Sequence, residues 1–412
     1  MNKTTLAIDN LLRAIGDPVS DLRGIGPGHP EFELAQIIRA GAGVLAKTPE
    51  ALPSIAEVIQ TTRGSAISHR GRAHLAAAEA WLAGDPVLAT ERYEAIVNRW
   101  HDDLLGLRLA QSCCFFLGWQ DRLLEITDRA MYAWPHDRVG FEAVLAMASF
   151  AHAEGGDADC AEALGRRALA NNPACPMGVH AVAHSIAEAG RPRAGAAWMR
   201  EQLEHWAGES RMRVHNAWHL AMFNVDAGDI ASALGILDEW LLPASAGSSL
   251  DACDAAALLW RLATEGVDVE SRWDLVSNAF EQRLTPGFWP YVDLHAALAH
   301  NAAGKPRRAQ RLVQAIEQCS AGNSHAASRA RNITGPGLRA LGAWSEGRHG
   351  EAAARFAALK PLLASAGGSR IQLEIFDSLG REAGRRQGTF LPSRKQAFGE
   401  SAWAGLADLV ET

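Results

Sequence analysis

Tyrosine is nearly missing from this 412-residue sequence, with three copies, and aromatic residues together make up 7%. Alternating runs rich in Val and Ile are absent as well. Strands draw on β-branched and aromatic residues, so a chain poor in both and rich in alanine is expected to be helical. No uncharged apolar run approaches the ~20 residues a membrane span needs. The start, Met1-Asn2-Lys3-Thr4-Thr5, leads into a polar amphipathic segment with no apolar core, so no signal peptide is expected. Basic residues are in deficit: Lys and Arg number 40 against 47 Asp and Glu, a formal net charge of −7. That balance argues against a general nucleic-acid binder, which carries a basic stripe. The six cysteines (Cys113, Cys114, Cys160, Cys175, Cys253, Cys319) show no CxxC spacing. They are expected to be buried free thiols in a reducing cytoplasm.

Signature motifs are also lacking. There is no GxSxG, no Walker loop and no regular Cys/His zinc pattern. The Gly24-Ile25-Gly26-Pro27-Gly28 stretch follows no strand and is interrupted by proline, so it reads as a rigid loop and not as a dinucleotide fingerprint. What remains is an ordinary soluble composition, 48% apolar and 21% charged, in a chain long enough for several domains or one elongated array.

A period is present. From about residue 70, helical segments end at Gly84, Gly118, Gly156, Gly190, Gly228, Gly266, Gly304 and Gly347, at spacings of 34, 38, 34, 38, 38, 38 and 43. A period of 34 with small insertions marks the tetratricopeptide class, two antiparallel helices per repeat. Each glycine is expected in the turn between helix A and helix B. Small residues five positions on, Ala89, Ala161, Ala233, Ala309 and Ala352, are expected where the helices cross closely. The clearest unit runs from Gly156 to Pro173. The expected fold is all-α, a tetratricopeptide-like α/α superhelix, a solenoid of stacked helix pairs. Residues 1–60 read as an N-terminal helical extension, 61–365 as the repeats, and 366–412 as C-terminal capping helices broken at Pro392.

Two HxxxH pairs stand out, His180/His184 and His215/His219. At i and i+4 on a helix, both imidazoles leave from one face. Relative to its own repeat's glycine, His74 is 10 before, the first pair 10 and 6 before, the second pair 13 and 9 before, and His295 is 9 before. At 100° per residue these offsets fall within roughly a 100° arc of helix A. Helix A lines the concave side of tetratricopeptide arrays, so the imidazoles are expected along one inner surface, and helices packed 8–10 Å apart let the two pairs converge. Neutral imidazole is the commonest metal ligand, and His180, His184, His215 and His219 are the candidate ligands of a transition metal. HExxH is absent, so no glutamate is placed as a metalloprotease base. The bland alternative has the histidines hydrogen-bonding each other and backbone carbonyls across a helix interface.

Other candidates flank this group. Glu188 follows His184 by four, and Asp293 precedes His295 by two. Asp251 is expected to N-cap a helix with Asp254 in its first turn. Most of the 13 tryptophans read as packing wedges, with Trp218 and Trp289 placed to wall a pocket.

Several segments together resemble the tetratricopeptide repeat protein 38 family. They are Val179-His180-Ala181-Val182-Ala183-His184, His215-Asn216-Ala217-Trp218-His219, Leu250 to Asp254 with Trp260-Arg261-Leu262, Glu265-Gly266-Val267, Arg272-Trp273, Asp293-Leu294-His295, and Gly367-Gly368-Ser369 with Gln372 and Phe376. Phe115 to Gln120 fits as well. The resemblance spans roughly residues 60–380 and implies a tetratricopeptide-like superhelix; it implies little about mechanism. Where that family is expected to carry His-Asp, this chain has Gln111-Ser112, which implies an altered or lost activity if those positions belong to a shared site.

The expected function is a repeat protein that binds a small molecule, a peptide or a metal in a histidine-rich concave pocket, built from His180, His184, His215, Trp218, His219, Asp251, Asp254, Asp293 and His295. The alternative is an enzyme using the histidines as ligands or general acid–base groups, with Asp293 orienting one of them. Few Lys or Arg fall on the histidine arc, which disfavours a clamp for a peptide carboxylate. Long terminal extensions favour a closed pocket over an open groove.

Overall fold

In the computed structural model, which describes residues 2–388, helices start and stop where side-chain chemistry dictates. Asp85, Asp103, Asp157 and Asp229 each accept a hydrogen bond from a first-turn backbone N–H, as do Ser68, Ser248, Ser324 and Ser369. Such caps satisfy donors that no carbonyl of the helix can reach.

The N-terminal helices are α1 (Lys3–Arg13), α2 (Phe32–Ala46) and α3 (Leu52–Thr62). Four pairs follow: α4 (His69–Leu82) with α5 (Pro86–Arg99), α6 (Leu104–Leu117) with α7 (Gln120–Ala133), α8 (Phe141–Gly155) with α9 (Ala158–Asn171), and α10 (Pro176–Glu188) with α11 (Pro192–Glu201). A short α12 (Leu203–Trp206) precedes α13 (Arg213–Ala227) and α14 (Ile230–Ile236), which continues through a π-turn into α15 (Leu242–Ser245). Then come α16 (Ser249–Thr264) with α17 (Glu270–Arg283), α18 (Pro290–Ala302) with α19 (Pro306–Ser320), the short α20 (His325–Arg329), α21 (Gly335–Ser345) with α22 (His349–Leu359), and α23 (Arg370–Gln387).

All eight periodic glycines fall between the helices of a pair, with φ between 64° and 86°, the left-handed region that glycine enters without a Cβ penalty. Ala89, Ala161, Ala233 and Ala352 are fully buried at the crossings, while Ala309 is only half-buried. The corresponding position of α11 is Gly195, where a Cβ would meet the Phe223 ring. One hydrophobic core runs from Ala7 to Leu379. The chain is an all-α, tetratricopeptide-like solenoid of helix pairs. Among the described residues no helix is long and apolar enough to cross a membrane. Pro392 and the rest of the expected C-terminal break lie outside the described residues.

The solenoid is closed from both ends of the chain. At the N-terminal end, α1 packs on α6 and α10. The longer connection after α12 receives it: Gly16 donates to the Glu209 carbonyl at 2.9 Å, Arg211 N–H donates to Ala14 O at 2.8 Å, and Ile15 bridges Ser210. At the C-terminal end, Arg329 is buried at 6% exposure, and its Nη2 donates to Phe116 O at 2.8 Å, Ser365 O at 3.1 Å and Ala366 O at 3.0 Å. This one guanidinium ties the end of α6 to a segment about 250 residues later. Helix α23 then runs against α22, α16 and α10.

Candidate functional site

Helices α10 and α13 are the A helices of consecutive repeats, and each projects its HxxxH pair toward the other. His180, His184 and His219 are 5%, 1% and 2% exposed; His215 is half-buried. One ligand nitrogen from each of the four rings lies within 4.8 Å of every other. His180 Nε2 and His184 Nε2 are 3.0 Å apart, one ring donating to the other. His219 Nε2 and His180 Nδ1 are buried without a hydrogen-bond partner. Two nitrogens bound at about 2.05 Å to one tetrahedral zinc would sit about 3.3 Å apart, so the observed spacing brackets what one ion requires.

Burial in an apolar repeat interface pushes the pKa of His180 and His219 well below the ordinary value, and that of His184 below it. The neighbouring imidazoles lower them further, and Glu154 opposes the shift at His184. Neutral imidazoles with free lone pairs are the form that binds metals.

Carboxylates stand behind two of the rings. Asp254 accepts from His215 Nδ1 at 2.7 Å, and Glu154 Oε1 lies 3.2 Å from His184 Nδ1, close to it without a well-formed hydrogen bond. A carboxylate on the outer nitrogen fixes the tautomer so that the other nitrogen's lone pair faces inward. Aromatic rings wall the group: Phe150 stacks on His180 at 5.7 Å and meets His184 edge-on, and Trp218 stacks on His215 at 5.2 Å.

Glu154 is the partner that sequence reasoning missed. Glu188, one turn after His184 on the same helix, was the expected acid, but it pairs with Arg370 at 3.0 Å. The acid that reaches His184 comes from α8 of the preceding repeat, at the equivalent place two residues before the turn glycine. That repeat offset was the available signal.

Five expected residues take other places. Asp251 does not cap α16; Ser248 does, its hydroxyl accepting from the Leu250 and Asp251 N–H groups. Asp251 sits in the first turn, where burial and the nearby Asp254 push its carboxyl up to about 7. Asp293 orients no histidine. It is fully buried and accepts from Gly287 N–H at 3.2 Å. His295 does not join the four either: its Nδ1 faces Tyr291 O at 2.7 Å and its ring meets Phe376. His74 likewise stays apart, held by Asp103 at 2.8 Å, and Trp289 packs on Phe115, Phe116 and Tyr291. A second, more exposed group, His152, Asp157 and Cys160, is already engaged: His152 contacts Asp128, and Asp157 caps α9.

Asp293 yields a pH prediction. Burial pushes its carboxyl up to about 8 from an ordinary 3.8. Between those values the folded chain keeps a proton that the unfolded chain releases, so the group's contribution falls as pH rises from about 4 to about 8. Asp293→Asn keeps the acceptor oxygen and removes the ionisation. Its urea midpoint, relative to wild type, should be higher at pH 8 than at pH 5; equal differences at both would contradict the assignment.

The C-terminal helix seals the site. The Ser369 hydroxyl accepts from Gln372 N–H at 3.2 Å while Gln372 Oε1 accepts from Ser369 N–H at 3.1 Å, a reciprocal cap. Arg370 N–H donates to Glu154 Oε2 at 2.8 Å, and Gln372 Nε2 reaches toward Asp254 Oδ1 at 3.5 Å. One helix start therefore touches both carboxylates that back the histidines.

No family model matches the chain. Among solved structures, the chain is similar to a tetratricopeptide repeat protein from Parabacteroides merdae ATCC 43184, at 14% identity and a TM-score of 0.35, covering 76% of this chain and 98% of that one. It is also similar to a Rap protein complexed with competence and sporulation factor, at 10% identity and a TM-score of 0.44, covering 93% of this chain and 98% of that one.

Proposed function

We propose that this helical-repeat protein holds one transition-metal ion on His180, His184, His215 and His219, inside a superhelix closed by its own termini. The observation that carries the reading is the convergence of four imidazoles within 4.8 Å, with His180 Nδ1, His184 Nδ1 and His219 Nε2 all buried without a hydrogen-bond partner. A cluster serving only as core would be built more cheaply from Leu or Phe, because an unpaired buried polar atom costs free energy. Imidazole donors suit zinc, copper, nickel and iron. The two backing carboxylates, Glu154 and Asp254, match the charge of a divalent ion. Of the three ligand classes expected for the concave side, a peptide is the least favoured, because α23 occupies that side. The six unpaired cysteines fit a reducing, cytoplasmic setting. The resemblance to the tetratricopeptide repeat protein 38 family rests on the residues quoted for it alone.

Cobalt(II) titration of the metal-free protein tests this. One equivalent should saturate and give the intense visible bands of a four-coordinate nitrogen site. A closed four-histidine shell leaves no position for substrate, whereas a five-coordinate spectrum with bound water would favour the enzyme alternative. Weak bands without saturation would sink the metal reading.

Asp254→Asn separates backing from ligation. Loss of a carboxylate behind a ligating histidine costs roughly 10- to 100-fold in metal affinity. Competition with a chromophoric chelator should read that drop with stoichiometry preserved; unchanged affinity would show that Asp254 does not support a ligand.

A further inference from the structure

Phe150 and Glu154 turn toward the four histidines. His152 lies two residues from each and leaves α8 on a different face. There it meets the start of α9: one ligand atom each from His152, Asp157 and Cys160 lies within 4.8 Å of the others. The group is reached by solvent. The His152 side chain is 15% exposed and that of Asp157 60%, and Cys160 is half-buried. All three come from one turn, whose Gly156 holds φ 86°, so the helix-pair geometry of the repeat presets their approach.

The bonds these residues already make leave a ligand atom free on each. His152 Nε2 donates to Asp128 Oδ1 at 2.9 Å. A carboxylate only accepts, so the proton of the neutral ring sits on Nε2 and a lone pair on Nδ1. A carboxylate behind an imidazole is the arrangement that orients histidine ligands of metals. Nδ1 faces Asp157 Oδ2 at 4.0 Å, too far for a hydrogen bond. Asp157 caps α9 with its other oxygen, Oδ1, which accepts from Cys160 N–H at 3.1 Å. The Cys160 thiol beside them has no disulfide partner. On one tetrahedral zinc the nitrogen and the oxygen would sit about 3.4 Å apart, so closure asks the exposed Asp157 carboxylate to move by about half an ångström.

Another turn of the same solenoid shows what capping alone needs. Asp229 caps α14 in the same way, accepting from Ser232 N–H at 3.2 Å. There the places of His152 and Cys160 hold Asn224 and Ser232, and Asn224 is taken by Arg200 at 2.7 Å. The cap therefore requires neither an imidazole nor a thiol.

We propose that His152 Nδ1, Asp157 Oδ2 and Cys160 Sγ hold an exchangeable zinc ion at the α8–α9 turn, with the fourth position open to solvent and Asp128 positioning the ring. Imidazole with thiolate suits zinc and not magnesium or calcium, and binding releases the thiol proton. Three ligands at a solvent-reached site bind more weakly than a closed four-histidine shell. This ion therefore enters after the first equivalent and leaves on exhaustive dialysis. The site shares no ligand with the four histidines and does not rest on the reading given for them.

The test titrates reduced full-length protein with cadmium(II), which takes the place of zinc and shows a thiolate-to-metal charge-transfer band in the ultraviolet. Only a cysteine ligand gives that band, so filling of the four histidines is silent in it. One saturating equivalent is expected in the band, competed away by zinc. Cys160→Ser should abolish it. His152→Asn should weaken it at least about tenfold, since loss of a mere backing group already costs about 10- to 100-fold. Both substitutions copy the turn between α13 and α14. Zinc should also protect Cys160 from iodoacetamide, read on its peptide by mass spectrometry; this measurement decides the matter if Cys160→Ser fails to fold by circular dichroism. An absent or unsaturable band, a band that Cys160→Ser leaves unchanged, or one indifferent to His152→Asn would each overturn the proposal. Cobalt titration of the same preparations keeps the two readings apart: a four-nitrogen cobalt site without the cadmium band removes only the zinc site at the turn, and the band without that cobalt site removes only the four-histidine centre.

Discussion

His219→Ala is expected to lower metal affinity by roughly a hundredfold while leaving helix content unchanged. Structural zinc contributes about 10–16 kcal/mol in total, so one ligand of four accounts for about 3 kcal/mol, and each 1.4 kcal/mol is tenfold. The fold should tolerate the change because His219 Nε2 has no protein partner to leave stranded, although the lost ring leaves a cavity beside Trp218, Phe223 and His184. Chelator competition reads the affinity and circular dichroism reads the fold. If the variant binds metal as wild type does but melts far earlier, the ring is packing material and nothing more.

The second large effect lies at the closure of the superhelix. Gly118 ends α6 at φ 72°, and a Cβ there would run into the Ala364 carbonyl. Gly118→Ala would therefore incur the left-handed penalty of about 1–2 kcal/mol and would also push the 364–367 segment off the end of α6. Displacement strands the carbonyls that Arg329 binds, at about 1–3 kcal/mol for a buried unsatisfied group. The sum, about 2–5 kcal/mol, should appear in urea unfolding, with faster amide exchange through residues 365–376. Gly84→Ala is the matched control: φ is 76°, but nothing lies within 4 Å of the added Cβ, so only the backbone penalty should appear. Equal losses in the two variants would mean that the closure contributes nothing.

The turn glycines and the HxxxH pairs were legible because both are local patterns: a positive φ needs glycine, and a four-residue spacing repeats one helical face. Convergence of the two pairs followed from stacking adjacent A helices. Partners from other repeats were harder to read. Glu154 reaches His184 across a repeat boundary, signalled only by the offset before the turn glycine that it shares with Glu188, and Arg329 reaches Phe116 across 213 residues, a distance at which periodicity carries no information. Asp251 was misread as a cap because aspartate and serine serve equally well there, and Ser248 stands three residues earlier. Asp293 is expected to orient one of the clustered histidines because it lies two residues from His295, but residues two apart on a helix point to different faces, and its carboxyl faces Gly287 N–H instead. Docking of α1 into the connection after α12 was equally invisible, because its hydrogen bonds all end on backbone carbonyls, which every residue carries.

The most direct test of the central claim is elemental analysis of the purified full-length chain, wild type beside His180→Ala/His219→Ala, after exhaustive dialysis. The account predicts close to one equivalent of a transition metal in the wild type and none in the double variant, with both chains helical. An equal metal content in the two, or no metal retained by wild type after reconstitution with zinc, cobalt, nickel or copper, would contradict it and leave the four histidines as a buried aromatic cluster.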